Sequence, residues 1–144
     1  MSFINRWATQ RNILYLIWFI AVLGTLVSLY FSEVLFYWPC VLCWYQRVAL
    51  YPLTVIIPIA LLKKDYKVYM YIFALNVIGT LVSIYHNLIY YDIIQGTLGT
   101  CISGVSCTTK YVELFGFVSI PLLALAGFMA INILLIVYSK RKQV

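Results

Sequence analysis

Charge is scarce in this chain. Of its 144 residues only 10% are Asp, Glu, Lys or Arg, where an ordinary soluble domain carries about 25%. No acid or base falls between Arg11 and Glu33. With 65% hydrophobic residues, the chain holds far more apolar side chain than a domain of this size buries in one core. A soluble enzyme and a disordered tail are both excluded. Four cysteines are too few for a secreted miniprotein framed by disulfides. What remains is a polytopic membrane protein with almost no soluble mass.

The charges that exist mark boundaries. A membrane helix needs about 20 mainly apolar residues, roughly 17–25. Four runs meet this and predict helices near 12–31, 44–62, 68–90 and 119–138, joined by outer loops at 32–43 and 91–118. The expected fold class is all-α, an integral membrane four-helix bundle in a single domain over residues 1–144. The first run is too long for a signal-peptide core and lacks a clear small-x-small cleavage site, so it reads as a retained span. Pro52 and Pro58 interrupt span two and predict a bend. Ser119 and Pro121 suit the start of span four.

Eight of the ten bases fall on one face of this arrangement: Arg6, Arg11, Lys63, Lys64, Lys67, Lys140, Arg141 and Lys142. The opposite face holds Lys110 with Glu33, Asp92 and Glu113. The positive-inside rule then places both termini in the cytoplasm. The net charge of +6 is an orientation signal, and nothing supports nucleic-acid binding. All four cysteines fall on the outer side, Cys40 and Cys43 in one loop and Cys101 and Cys107 in the other. Disulfides persist there and are rare in the cytoplasm.

Two segments echo each other. Residues 24–30 read GTLVSLY and residues 79–85 read GTLVSIY. Both precede a cysteine-bearing loop. Two explanations stand: small-xxx-small helix packing through Gly24/Ser28 and Gly79/Ser83, or an old duplication of helix, loop and helix.

The chemistry concentrates at Trp38-Pro39-Cys40-Val41-Leu42-Cys43-Trp44-Tyr45-Gln46-Arg47. Two thiols separated by two residues close a small disulfide ring, as in dithiol exchange centres, although zinc sites share that spacing. Haem c attachment fails because Trp44 follows Cys43. Pro39 holds Trp38 extended before the helix, so Cys43 falls near the N-terminus of span two, where the helix dipole favours a thiolate. Arg47 lies one turn deeper on the same face. A guanidinium there costs a few kcal/mol on insertion scales and needs a partner. It either stabilises the Cys43 thiolate and a docked carbonyl acceptor or snorkels to the headgroups.

Four short spans, CVLCWYQR at the outer end of span two and a second cysteine pair before span four resemble the disulfide bond formation protein B family (DsbB/BdbC), over essentially the whole chain. The resemblance implies a quinone-linked thiol oxidase that reoxidises a DsbA/BdbD-like thioredoxin-fold dithiol oxidase outside the cytoplasm. The DsbA–DsbB–quinone route is what keeps a bacterial periplasm oxidising. It implies that Cys40 and Cys43 form the quinone-coupled pair, with Cys43 contacting the quinone (menaquinone or ubiquinone) and Arg47 polarising it. Cys101 and Cys107 would be presented to the partner, Cys101 forming the mixed disulfide. His86, aligned by position alone, would lie on the quinone side or serve as an interfacial polar residue. No metal ligand is implied.

Only five residues separate Cys101 from Cys107, shorter than in the Gram-negative branch and similar to the Gram-positive one. Glycines 96, 99 and 104 with interspersed Ser and Thr predict a mobile, solvated segment. Three other readings stay open: a vitamin K epoxide reductase-like enzyme, a metal-binding membrane protein using all four cysteines, and a scaffold with two inert disulfides. Four cysteines allow three connectivities.

Overall fold

The computed structural model describes residues 2–94 and 119–143, leaving aside the side chains of 2–9, 66 and 141–143. The second cysteine loop therefore lies outside the described residues, and the readings at Cys101 and Cys107 with it. Four helices make the architecture: α1 (Ser2–Leu29), α2 (Val41–Lys63), α3 (Tyr69–Tyr90) and α4 (Ile120–Gln143). No strand occurs among the described residues. Each helix packs on its neighbour in sequence, and α4 closes back on α1. The result is an integral membrane four-helix bundle.

Its outer surface is apolar. In the four membrane-length stretches only 22–44% of the most apolar window is buried. Leu16, Phe19, Val55, Leu81 and Ile133 are all about half exposed or more. Contiguous exposure of this kind needs lipid around it. The buried side divides into two ends. Near the termini, Leu14, Ile17, Leu53, Ile57, Ile72, Ile131 and Leu135 form a dry core. At the far end a smaller cluster holds Cys40, Leu42 and Ile89.

Two boundaries differ from expectation. Helix α1 runs on through a π-helical turn, Tyr30–Val34. Helix α2 starts at Val41 and not at residue 44, because Cys40 caps it: the Cys40 side chain accepts from the Cys43 backbone N–H. Cys43 thus belongs to the first turn of α2 and not to a loop. Ser119 acts as expected, its Oγ accepting from Leu122 N at 3.4 Å at the start of α4.

Pro58 has a partner that sequence alone did not supply. Proline lacks the N–H that would bond the carbonyl four residues back, which here is that of Thr54. Trp18 Nε1 on α1 donates to this Thr54 oxygen at 3.0 Å. A backbone defect within α2 has become a tie to α1, as membrane helices require of any freed carbonyl.

The echoed segments flank α2 from opposite sides. Arg47 Nε donates to Ser28 Oγ on α1 at 2.9 Å, and Gln46 Nε2 donates to Ser83 Oγ on α3 at 3.0 Å. Successive residues of α2 are therefore held by equivalent serines of the two repeats. Their glycines serve different contacts. A methyl group at Gly24 would touch Leu50 at 3.0 Å, whereas one at Gly79 would clash with the edge of the Phe128 ring. Small-residue packing is thus realised at both copies.

Helix α3 carries a polar stripe at Asn76, Thr80, Ser83 and Asn87, all buried. Asn76 Nδ2 donates to Phe128 O (3.1 Å), Asn87 Nδ2 to Pro121 O (3.0 Å), and Asn132 Nδ2 returns to Thr80 Oγ1 (2.9 Å). Three amides stitch α3 to α4 along its length.

Two stability predictions follow from these ties. Trp18→Phe orphans the Thr54 carbonyl and is expected to cost about 1 kcal/mol, between the membrane mean of about 0.6 and the roughly 3 of a fully stranded group. In a Pro58→Ala background, where the helix supplies its own donor, the cost falls to within a few tenths. Equal costs in both backgrounds, measured by unfolding in detergent, would refute the compensation. Ser83→Ala strands the Gln46 amide and should cost about 1–3 kcal/mol. Adding Gln46→Leu should recover most of it, and no recovery would mean that Ser83 matters for another reason.

Candidate active site

The site is built where α2 begins and α3 ends. An extended backbone at Cys40 (φ −70°, ψ 171°) ends the loop and opens the helix. This places Cys40 at the N-cap and Cys43 at the third helical position, so both sulfurs sit over the same turn. Their separation is 3.1 Å, a non-bonded contact that shortens to about 2.05 Å when a disulfide forms. The first turn of a helix has N–H groups without intrahelical acceptors. One of them, Cys43 N–H, points at Cys40 Sγ (3.4 Å). That hydrogen bond and the positive end of the helix dipole both favour negative charge on this sulfur.

Helix α3 contributes the third group. His86 is buried, 2% exposed, with Nε2 3.7 Å from Cys40 Sγ. Val82 and Tyr85 from the same helix pack against the cluster. Position in the sequence alone singles out His86; the fold brings it into contact with Cys40. Cys40 is 4% exposed, while Cys43 is half-buried. Cys43 is therefore the more accessible of the two sulfurs, and Trp44, Tyr45 and Val48, all more than half exposed, surround it in sequence on the lipid-facing surface.

Arg47 is arranged otherwise than one-turn spacing suggested. Its guanidinium reaches α1, donating to Ser28 Oγ and, through Nη2, to Ser28 O at 3.0 Å. It lies over the Trp44 ring at 5.4 Å, a cation–π distance. Two of its five N–H donors are spent on Ser28, which leaves three without a hydrogen bond among the described residues. The partner demanded by a guanidinium at this depth is thus Ser28, a residue that the sequence reading assigned only to helix packing. The serine recurs at the same place in both echoed segments, which singles it out without naming Arg47 as its partner. The α3 stripe was also missed, although polar residues spaced 4, 3 and 4 apart in an apolar span mark one helix face.

The comparisons with known proteins agree with one another. The family model for disulfide bond formation protein DsbB matches residues 10–138. A Bacillus anthracis protein named probable disulfide formation protein C 1 is 41% identical over 133 residues, spanning 92% of this chain and 96% of its own. Probable disulfide formation protein C 2 of Bacillus cereus is 46% identical over 125 residues, 87% and 89% of the two chains. Disulfide bond formation protein C of Bacillus subtilis is 41% identical over 132 residues, 90% and 94%. No solved structure matches this chain. A paired-sulfur centre at the end of a four-helix membrane bundle and these relatives lead to one assignment: the chain belongs to the DsbB disulfide bond formation family and is a membrane disulfide oxidoreductase.

Proposed function

We propose that the chain is a quinone-dependent thiol oxidase that reoxidises a thioredoxin-fold dithiol oxidase on the outer side of the cell membrane, with both termini cytoplasmic. The observation that carries this reading is the Cys40–Cys43 pair, held 3.1 Å apart on a helix N-cap beside lipid-facing surface. The Bacillus subtilis relative is itself named a disulfide bond formation protein. Sidedness rests on the eight bases at the terminal end, as the positive-inside rule requires.

The relay is two exchanges and one oxidation. A thiolate of the reduced partner attacks the Cys101–Cys107 disulfide at Cys101, and the second partner thiolate resolves the mixed disulfide. The partner leaves oxidised, and Cys101 and Cys107 are now thiols. These transfer two electrons and two protons to the Cys40–Cys43 disulfide, restoring their own bond and opening the second pair. Cys40, with the Cys43 N–H and His86 Nε2 beside it, stabilises the thiolate that exchange requires. Cys43 is the accessible member and faces the acceptor.

The residues fit a lipid-borne quinone, menaquinone or ubiquinone. The three guanidinium donors left to Arg47 suit a carbonyl oxygen, and exposed Trp44, Tyr45 and Val48 offer an apolar approach from the bilayer. Quinone, when bound, accepts the two electrons and two protons. Ser28 and Trp44 fix the plane of the guanidinium, so donors are presented in a set direction.

The test is quinone reduction by the purified protein, followed optically, with a reduced thioredoxin-fold dithiol oxidase as donor. Cys43→Ser and Cys101→Ser are each expected to abolish turnover. Arg47→Lys should slow it about tenfold or more, matching the loss of one charge-assisted hydrogen bond of about 1.5–3 kcal/mol. Turnover that survives either cysteine substitution would contradict the single electron path, and an unaffected Arg47→Lys would remove Arg47 from it.

A further inference from the structure

Cys40, Cys43 and His86 also meet the requirements of a metal site. Their three donor atoms lie within 4.8 Å of one another, and they come from two helices whose packing fixes them. Zinc binds sulfur at about 2.3 Å and imidazole nitrogen at about 2.0–2.1 Å in a tetrahedron. Those bond lengths require edges of about 3.8 Å between two sulfurs and about 3.6 Å between sulfur and nitrogen. The corresponding distances here are 3.1 Å and 3.7 Å. The sulfur pair has to open by a fraction of an ångström, and the Cys43 sulfur and the His86 ring nitrogen, which lie within 4.8 Å of each other, have to settle at about 3.6 Å.

Charge balance favours the same outcome. Two thiolates inside a site this buried are costly without a counter-charge. A divalent cation with two thiolates and a neutral imidazole gives a neutral cluster, whereas a monovalent one leaves it negative. Two sulfurs and one imidazole also form a donor set of the open type, with a fourth position for water. The half-buried Cys43 gives a cation its way in.

We propose that the reduced Cys40–Cys43 pair, together with His86, is a three-ligand site for a thiophilic divalent cation of the zinc class, and that metal binding withholds the pair from oxidation. Binding breaks two S–H bonds, forms two metal–sulfur bonds and one metal–nitrogen bond, and releases two protons to solvent. No electron moves. The disulfide form offers no thiolate and does not bind. The inhibitory consequence rests on the proposed role of Cys40–Cys43 as the redox pair; the binding does not. The C-x-x-C spacing is shared with zinc sites, but nothing local to it names His86 as the third ligand, because His86 lies 46 residues from Cys40 in the chain.

Cobalt(II) is the probe, added to the full chain in detergent with Cys101→Ser and Cys107→Ser removing the other thiols and a phosphine, later desalted, as reductant. The expected result is one tetrahedral, thiolate-bound cobalt per chain, read from its visible and near-ultraviolet bands and displaced by zinc. Cys40→Ser and diamide oxidation of the intact pair should each abolish the bands. His86→Ala should weaken binding about tenfold or more, the least that even an outer-shell partner of a metal is worth. Absence of the bands in protein whose two thiols alkylate normally would overturn the site, and equal affinity in His86→Ala would overturn the three-ligand arrangement. Zinc should slow diamide oxidation of the pair about tenfold, with reversal by chelator; bound metal with unslowed oxidation would overturn the inhibition. A pair that never oxidises, with or without zinc, would instead sink the redox reading while the metal bands persisted.

Discussion

Everything at the cysteine end of this bundle depends on a sulfur serving as a helix cap. The N-cap position ordinarily takes Ser, Thr, Asp or Asn, whose oxygen accepts an otherwise orphaned N–H. Here Cys40 takes it, and its sulfur accepts from Cys43 N–H. The helix start and the dithiol geometry are therefore one feature. If α2 began a turn later, Cys43 would leave the helical turn and the two sulfurs would lose their fixed separation. Beginning at Val41 aligns the macrodipole with the two sulfurs at no cost in buried charge.

Holding that end in place is the work of α2's neighbours. Gln46 and Arg47 are consecutive and so point in different directions around the helix, one to Ser83 on α3 and the other to Ser28 on α1. A bundle in lipid gains little from apolar burial, because the tails are as apolar as the helix surfaces. Interhelical hydrogen bonds and close packing must carry its specificity. The α3 amides, the Trp18–Thr54 tie and the paired serines supply them, while the dry core of Leu14, Ile17, Leu53 and Ile72 fills the other end. The same rigid α3 that is stitched to α4 delivers His86 to Cys40.

Much of this was legible in the sequence, for identifiable reasons. Runs of uncharged residues and the placement of eight bases specify spans because a bilayer tolerates nothing else there. The C-x-x-C spacing needs only local geometry to predict that the two sulfurs meet, and they lie 3.1 Å apart. Pro39 marks the turn before α2, yet the expected start near residue 44 lies a turn beyond the one observed at Val41, because cysteine is not among the usual N-cap residues. Long-range partners were not legible. Nothing local to Pro58 names Trp18, and nothing local to Arg47 names Ser28, since each tie depends on how two helices are rotated against each other. His86 was visible by position, but its contact with Cys40 is set by the α2–α3 packing. The second cysteine pair, so plain in the sequence, lies outside the described residues.

The most direct test of the account is the redox equilibrium of the Cys40–Cys43 pair itself. Protein carrying Cys101→Ser and Cys107→Ser would be equilibrated across dithiol–disulfide buffers, trapped with an alkylating mass label and weighed intact. The account predicts one two-electron transition, in which zero labels give way to two with no stable singly labelled species. Two labels at every potential, or singly labelled protein dominating the midpoint, would contradict the claim that the N-cap of α2 holds these sulfurs as a single redox unit.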